Sequence, residues 1–570
     1  MDVRDFFRRE KMNRISGLLV LAFAFFISLS TQANVSLRNG NFFIGYSDIA
    51  YPGGFETKIE RVYNSKTPYN GWFGWGWGSE YEVFLSISAD GSVLVHEYGG
   101  GAQNRFNPQN FTTQELEQAV NTIASAAQKA GVIGSASQFA AYKEKLKNDA
   151  TFRNDEWQKF RAQGKVAARS LPVGTKLTST RFSFQMIQVV QNGYQRIYDS
   201  GKVETFDATG RLVKVQDRNG HSIQISRSKD GLIEKIQDNF NRKIFFTFNK
   251  KRKVEKLQGE NNKTVVYQYN DQDELVYTKD ADGNIYTYGY SKDRRHNLTE
   301  VGYSDKSKML ISYYGKDQFE NVKSVKDRDG TLTEYSYGKV NNDPKSLKVT
   351  VVVKNNEGKA LSTSVYDYNF KIKATGEEWT QKMVTTVDGD RTETVYDEKL
   401  GLPLFIKRGK DETTFVYDAR GRVTKKTTPF EVTELSYDPK VGKVSKVVKI
   451  DRANKNAKPE WSQFQYDDRA NLISAVNSDK QSVKLFYDTN GRISSMIDQN
   501  KKRIDFKYNE NSKPVEIIDP SLGSIKVTYT NSGEVKKVDS AGGRKIALQV
   551  TSAFQNLLEI IRPAGVTLSF

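Results

Sequence analysis

From Tyr194 onward apolar and polar residues alternate in short runs, as in Leu212-Val213-Lys214-Val215 and Ile285-Tyr286-Thr287-Tyr288-Gly289-Tyr290. Period-two alternation places one set of side chains on each face of a strand, so every run predicts a half-buried β-strand. Two kinds of turn signal separate the runs. The first is Tyr-Asp-x-x-Gly-Arg, at Tyr417 to Arg422, at Tyr487 to Arg492 and, with Phe for Tyr, at Phe206 to Arg211. The second is Asp-x-x-Gly, at Asp217 to Gly220, Asp280 to Gly283 and Asp327 to Gly330. Asp can hold nearby backbone amides and Gly can take the left-handed conformation that closes a short hairpin.

The first signal recurs on a 21-residue step at Tyr466, Tyr487, Tyr508 and Tyr529, with a degenerate copy at Val550. The same grid runs through Phe206, Arg227, Phe248, Tyr269 and Tyr290, then more loosely through Tyr314, Tyr337, Tyr366, Tyr396, Tyr417 and Tyr437. A fixed period of this size defines a repeat architecture in which each unit is one hairpin. About sixteen units give roughly thirty strands, well beyond the ~10 at which an open sheet curls, splits or closes. At ~4.8 Å per strand the ribbon is roughly 150 Å long, enough to wind round an interior too wide for side chains to fill. A propeller would pair the units into four-stranded blades; the even grid shows no such pairing and favours a coil. The longer step from Tyr437 to Tyr466 implies a loop insertion, for which Asn454 to Pro459 supply turn-prone residues, as Asn341-Asn342-Asp343-Pro344 do earlier.

Two regions precede the array. Residues 34–111 alternate over Lys58 to Tyr63 and Glu82 to Ser88, predicting strands. Between them lies Gly71-Trp72-Phe73-Gly74-Trp75-Gly76-Trp77-Gly78. Trp72, Trp75 and Trp77 could offer a carbohydrate-stacking surface; the alternative is an aromatic plug against the neighbouring sheet, since Gly lets large rings approach closely. Residues 112–165 switch to helical spacing. A capping box at Thr112 to Glu115 leads into Leu116, Val120, Ile123 and Ala127; Ser135 opens a second helix with Phe139, Tyr142 and Leu146. Asp155 is expected to open a third, carrying Trp157 and Phe160 and ended by Gly164. The fold class is therefore all-β, with a small helical insertion before a shell over 166–570.

The N-terminus reads as an export signal over residues 1–33. Arg14 supplies charge, Leu18 to Leu29 an apolar core and Thr31-Gln32-Ala33 a cleavage site, in a stretch shorter than the ~20 residues of a spanning helix. Localisation in the periplasm, at the outer-membrane surface or outside the cell is expected, with no transmembrane helix after cleavage. Zero cysteines exclude disulfides, thiolate metal sites and Cys lipidation. The formal charge of +18 favours anionic partners, but the charges are interspersed, so no specific nucleic-acid partner is inferred. The run Lys250-Lys251-Arg252-Lys253 reads as a solvated turn. The terminal Gly565 to Phe570 alternate and end on Phe like a barrel-assembly strand, yet Lys, Glu and Arg on most strands do not suit a lipid-facing band.

Little suggests catalysis. His96, His221 and His296 lack ligand spacing, Asp280 to Asn284 lacks the downstream Glu of a calcium loop, and Gly99 to Gly101 fits neither a phosphate loop nor a nucleophile elbow. No catalytic residue, metal or cofactor is inferred.

The Tyr-Asp-x-x-Gly-Arg units over about 195–570 closely resemble the YD-repeat, or rearrangement-hotspot (RHS), family of bacterial surface and toxin-associated proteins. The stretch Tyr63-Asn64-Ser65 to Gly74-Trp75-Gly76-Trp77 resembles the domain that commonly precedes those repeats. The resemblance implies a spiralling β-shell round a cavity, as in insecticidal toxin-complex subunits, polymorphic toxins and teneurins. Two departures stand out. Leu557 to Phe570 remain repeat-like where relatives carry a self-cleaving core and an effector, and the 112–165 insertion is foreign to the pattern. The expectation is an exported, non-enzymatic shell acting as a scaffold, encapsulating or adhesion module. Its partner would be an encapsulated or shell-closing protein, or a cell-surface glycan; the alternatives are a carbohydrate-binding protein and a toxin-delivery component whose effector is encoded elsewhere.

Overall fold

The computed structural model describes residues 34–540 apart from 52–55, 98–101, 109–111, 180–183, 294–295, 375, 455, 510–512, 521–522 and 530–534. The export signal, Gly99 to Gly101, the copy at Val550 and the terminal Leu557 to Phe570 lie outside the described residues.

Each alternating run is a strand, and each pairs antiparallel with its neighbours in sequence, from Lys176–Ser179 through to Val535–Ser540. Coil, not propeller, is the outcome. The hairpin turns work as the sequence suggests. In the turn at Asp207, Gly210 N–H reaches the Asp207 carbonyl at 3.0 Å and Asp207 N–H the Arg211 carbonyl at 2.9 Å. Asp207 Oδ1 accepts the amides of Thr209 and Arg211 at 2.9 and 3.0 Å, and Gly210 sits at φ +84°. Where the grid lacks glycine, Ala470, Lys480 and Lys501 take the same conformation at φ +62°, +63° and +64°.

The repeat tyrosine has a role beyond the hairpin. Its hydroxyl donates to a backbone carbonyl in the preceding repeat: Tyr269 to Val254 (2.7 Å), Tyr290 to Leu275 (2.9 Å), Tyr487 to Leu472 (2.8 Å) and Tyr508 to Ile493 (2.8 Å). In the loose part of the grid the bond is made by Tyr313, to Leu298 at 3.0 Å, rather than by Tyr314. The Tyr thus ties one hairpin to the next.

A four-stranded sheet of Asn34–Ser36, Asn41–Tyr51, Thr57–Asn64 and Trp77–Ser79 lies against one face of the shell strands between residues 203 and 326. One core runs through both, from Phe42, Ile59 and Trp77 to Ile236, Leu257, Val265 and Leu298. The shell begins earlier than its repeats. Phe84–Ile87, Val93–Glu97 and Ala102–Pro108 form the first strands of the long sheet, the last pairing with Lys176–Ser179. The sheet closes on itself where Phe84 bridges Arg211 and Leu85 N–H donates to the Gly210 carbonyl at 2.8 Å.

The insertion between Pro108 and Lys176 carries α1 (Thr113–Lys129), α2 (Ala136–Asn148) and α3 (Ala150–Ala162). Ser135 caps α2 by accepting Gln138 N–H, but Thr112 makes no side-chain cap on α1. Helix α3 starts a full turn before Asp155, because Asp149 accepts Phe152 N–H at 2.8 Å and leaves Asp155 inside the helix. Gly164 ends it at φ +67°, with Lys165 N–H on the Phe160 carbonyl at 2.8 Å.

The irregular repeats near Tyr366 do more than lengthen loops. Ala360–Ile372 and Glu378–Val387 are long strands, and the hairpin they form reaches the insertion, where Ala150 N–H donates to the Gly376 carbonyl at 3.2 Å. Later repeats overlie earlier ones: Arg420 stands 3.9 Å from Asp199, and a Cβ on Gly491 would lie 2.9 Å from the Asn219 side chain.

Candidate functional site: cavity and plug

The covering of the sheet is uneven. Strands facing the N-terminal sheet bury Ile, Leu and Val to zero exposure, and a second cluster buries Val447, Phe464, Leu485 and Ile525. Among the described residues from 332 to 437, Val349 and Val384 are the only buried apolar side chains. From this stretch Tyr368, Trp379 and Tyr396 contribute rings to a cavity of about 1780 Å³, which the first shell strands wall through Leu94, Asn104 and Met186. The helical insertion forms another wall through Asn148 to Thr151 and Asn154, and the later repeats add Arg420 and Lys440. The lining mixes both charge signs, and one opposed pair, Arg38 with Glu378, meets at 3.1 Å.

The insertion is anchored by buried charge. Arg153 donates to the Leu146 carbonyl at 2.7 Å and to Asp90 at 3.3 Å, and Asp90 also holds Arg105 and, at 2.6 Å, the Ser92 hydroxyl. Three donors outweigh burial and keep the Asp90 carboxyl below the usual carboxylate range.

The N-terminal sheet plugs the coil through an aromatic cage. Arg61 Nε donates to Asp48 at 2.7 Å, with both side chains at 0% exposure. The guanidinium lies 4.6 Å from the Trp77 ring centroid and 5.1 Å from that of Tyr46. Tyr288 and Tyr267, from two shell repeats, meet Arg61 and Asp48 at 2.8 and 2.7 Å.

The three tryptophans take unequal places here. Trp77 is at 0% exposure and donates to the Tyr290 hydroxyl at 2.9 Å, so it has no face to offer a ligand. Trp75 is partly buried and stacks on His296, ring centroids 4.3 Å apart and 3° from parallel. Trp72 packs edge-on against Phe246 and Phe248 and borders a smaller recess. They do not form one surface.

The histidines stay apart: His96 Nε2 meets Ser86 Oγ at 2.7 Å, His221 meets Asp217 and His296 meets Glu274, both at 2.9 Å. Asp280 is occupied by its own turn, accepting the amides of Asp282 and Asn284. Among the described residues no three His, Cys, Asp or Glu side chains gather as a metal site would require, and no helix is long and apolar enough to cross a membrane. Sequence reasoning missed the Arg61–Asp48 pair, whose only signal was a charge on the strand face that also carries Thr57, Ile59 and Tyr63.

Two family models match. One, described as Teneurin YD-shell, covers residues 182–306 and 460–570; the other, a domain of unknown function (DUF6531), covers 32–106. The helical insertion and residues 307–459, which supply part of the cavity wall, fall outside both. No curated protein matches. Among solved structures, the Photorhabdus luminescens Tc holotoxin pore is 12% identical with a TM-score of 0.37, covering 87% of this chain and 29% of that one. The TcdB2-TccC3 complex is 13% identical with a TM-score of 0.39, covering 87% of this chain and 30% of its own. This chain spans less than a third of the length of either.

Proposed function

We propose, for a chain that is a YD/RHS-repeat protein, an exported shell without enzymatic activity that acts as a scaffold or encapsulating module at the cell surface. The observation that carries this reading is the cavity of about 1780 Å³, walled between Tyr368 and Leu402 by the sparsely buried repeats, by the helical insertion and by the first shell strands. That volume exceeds the roughly 300–1,000 Å³ of small-molecule sites. It is far below a folded domain, whose radius of gyration is about 13 Å at 100 residues. An extended polypeptide segment fits, contributed by a partner chain or by an effector encoded elsewhere. Export rests on the charged and apolar pattern of residues 1–33.

The test is to co-express the protein with its genomic neighbours and purify it under native conditions. A partner segment that resists added protease, with density in the cavity, is expected. A consistently empty cavity, or turnover of a cell-wall or nucleic-acid substrate abolished by a point mutation, would overturn the reading. A second reading, envelope-glycan binding, is favoured only by Trp72 at the rim of its recess. The pair Trp72→Ala and Trp75→Ala should then abolish glycan-array signals; unchanged signals dismiss it.

A further inference from the structure

One unit of the array places a charge at its key position. Arg227 stands where other units place the tying tyrosine, and it performs the same tie: its Nη2 donates to the Leu212 carbonyl, fifteen residues back, at 3.2 Å. Tyr269 and Tyr290 make that bond across the same fifteen residues with a neutral hydroxyl. The substitution adds nothing to the tie and introduces a charge whose hydrogen bonds go to backbone carbonyls rather than to a carboxylate.

Arg227 Nη1 donates to the Gly231 carbonyl at 3.3 Å, and its Nε is buried without a hydrogen-bond partner. Its guanidinium lies 5.5 Å from the centroid of the Trp72 ring. Arg211 converges on the same point, its Nη1 lying 2.6 Å from where a Cβ on Gly231 would stand. Lys253 closes the floor, buried and bonded to the Asn70 side chain at 2.6 Å and to the Gly71 carbonyl at 2.8 Å. The nearby carboxylates are occupied. Glu82 accepts Trp72 N–H, Ser79 N–H and the Tyr69 hydroxyl, and Asp230 pairs with Arg252 at 3.2 Å. Together these groups line a recess of about 550 Å³ between the plug and three successive hairpin tips. A guanidinium partly drawn out of water, as that of Arg227 is, is costly unless an anion joins it. Burial and the neighbouring Arg211 both act against the charge on Arg227.

We propose that this recess binds an oxyanion of phosphate type, held between Arg227 and Arg211 with Trp72 beside it. Arginine forks match phosphate geometry, and the partly apolar surroundings strengthen the contact. The recess lies on the plug side, so the inference is independent of what the cavity holds.

The full-length protein is titrated with inorganic phosphate against sodium chloride at equal ionic strength, read by calorimetry and by tryptophan fluorescence. In parallel it is mixed with phosphatidylcholine vesicles with and without phosphatidylglycerol. Arg227→Tyr restores the neutral tie of the other repeats and should fold at least as well as the parent; Arg211→Gln changes only an exposed side chain. Phosphate binding weakened tenfold or more in both variants supports a site for the free anion. Vesicle binding that needs phosphatidylglycerol and is lost in both variants supports a lipid-borne phosphate. No binding in either arm, or binding unchanged in Arg227→Tyr and Arg211→Gln, overturns the proposal.

Discussion

Replacing Arg61 with Met tests the link between plug and coil most directly. The variant keeps the length of the side chain and its packing among Trp77, Tyr46, Tyr267 and Tyr288, but strands Asp48 at 0% exposure with only the Tyr267 hydroxyl, 2.7 Å away. Breaking a buried pair from one side costs about 3–5 kcal/mol, because the remaining charge has lost its counterion. Exchanging both partners, as Arg61→Met with Asp48→Leu, removes the orphan and should recover most of that loss. Even in the parent the pair is imperfect, since Asp48 Oδ1 and Arg61 Nη1 find no partner. Burial pushes the Asp48 carboxyl up while Arg61 opposes it. Without Arg61 the folded carboxyl rises further above its unfolded value, so the penalty is full at neutral pH and shrinks as acid protonates Asp48. Urea unfolding of parent, single and double variants at pH 7 and pH 4.5, followed by tryptophan fluorescence, reads all of this. A single variant within about 1 kcal/mol of the parent, a loss independent of pH, or a double variant no better than the single would refute the argument.

Tyr487→Phe removes the bond to the Leu472 carbonyl at 2.8 Å and should cost about 1 kcal/mol in urea unfolding, leaving strand content by circular dichroism unchanged. Ala470→Gly relieves a left-handed residue at φ +62° and should raise stability by about 0.5–1 kcal/mol, despite the entropy glycine adds to the unfolded chain; a loss would show the turn is unstrained. Burial lowers His96 to about 4, so the unfolded chain binds the extra proton and stability falls as pH drops from 6.5 toward 4, by up to about 3 kcal/mol. In His96→Gln that acid slope should be shallower by the same amount, measured as urea midpoints across the window.

Much of this fold is legible in the chain. Asp488, Gly491 and Arg492 specify their turn locally: Asp488 Oδ1 accepts the amides of Asn490 and Arg492, its Oδ2 takes Arg492 Nε at 2.7 Å, and Gly491 supplies φ +73°. The same residue types in the same spacing elsewhere report the same hairpin. Tyr487 was legible as a marker but not as a tie, because its partner Leu472 lies across a strand pairing that only the folded sheet creates. Asp149 rather than Asp155 opens α3, since either could cap and only the packing of Phe152 and Trp157 selects between them. The tryptophans were legible as a cluster, and their division into an enclosed Trp77 and a recess-lining Trp72 was not.

The sequence by itself determined the strands, their order and their turns, because alternation, Asp caps and left-handed glycines act within a few residues of one another. It determined too that a long ribbon must curl. Only the tertiary structure decided what each half-buried face meets: the plug from 203 to 326, and beyond Tyr368 a cavity walled in part by the helical insertion. A strand's pattern states that one face leaves water, but the surface it meets comes from residues such as Arg61 and Tyr288, 227 positions apart. Contacts at that separation carry no local signature, which is why the cavity and the Arg227 recess emerge only once the coil is wound.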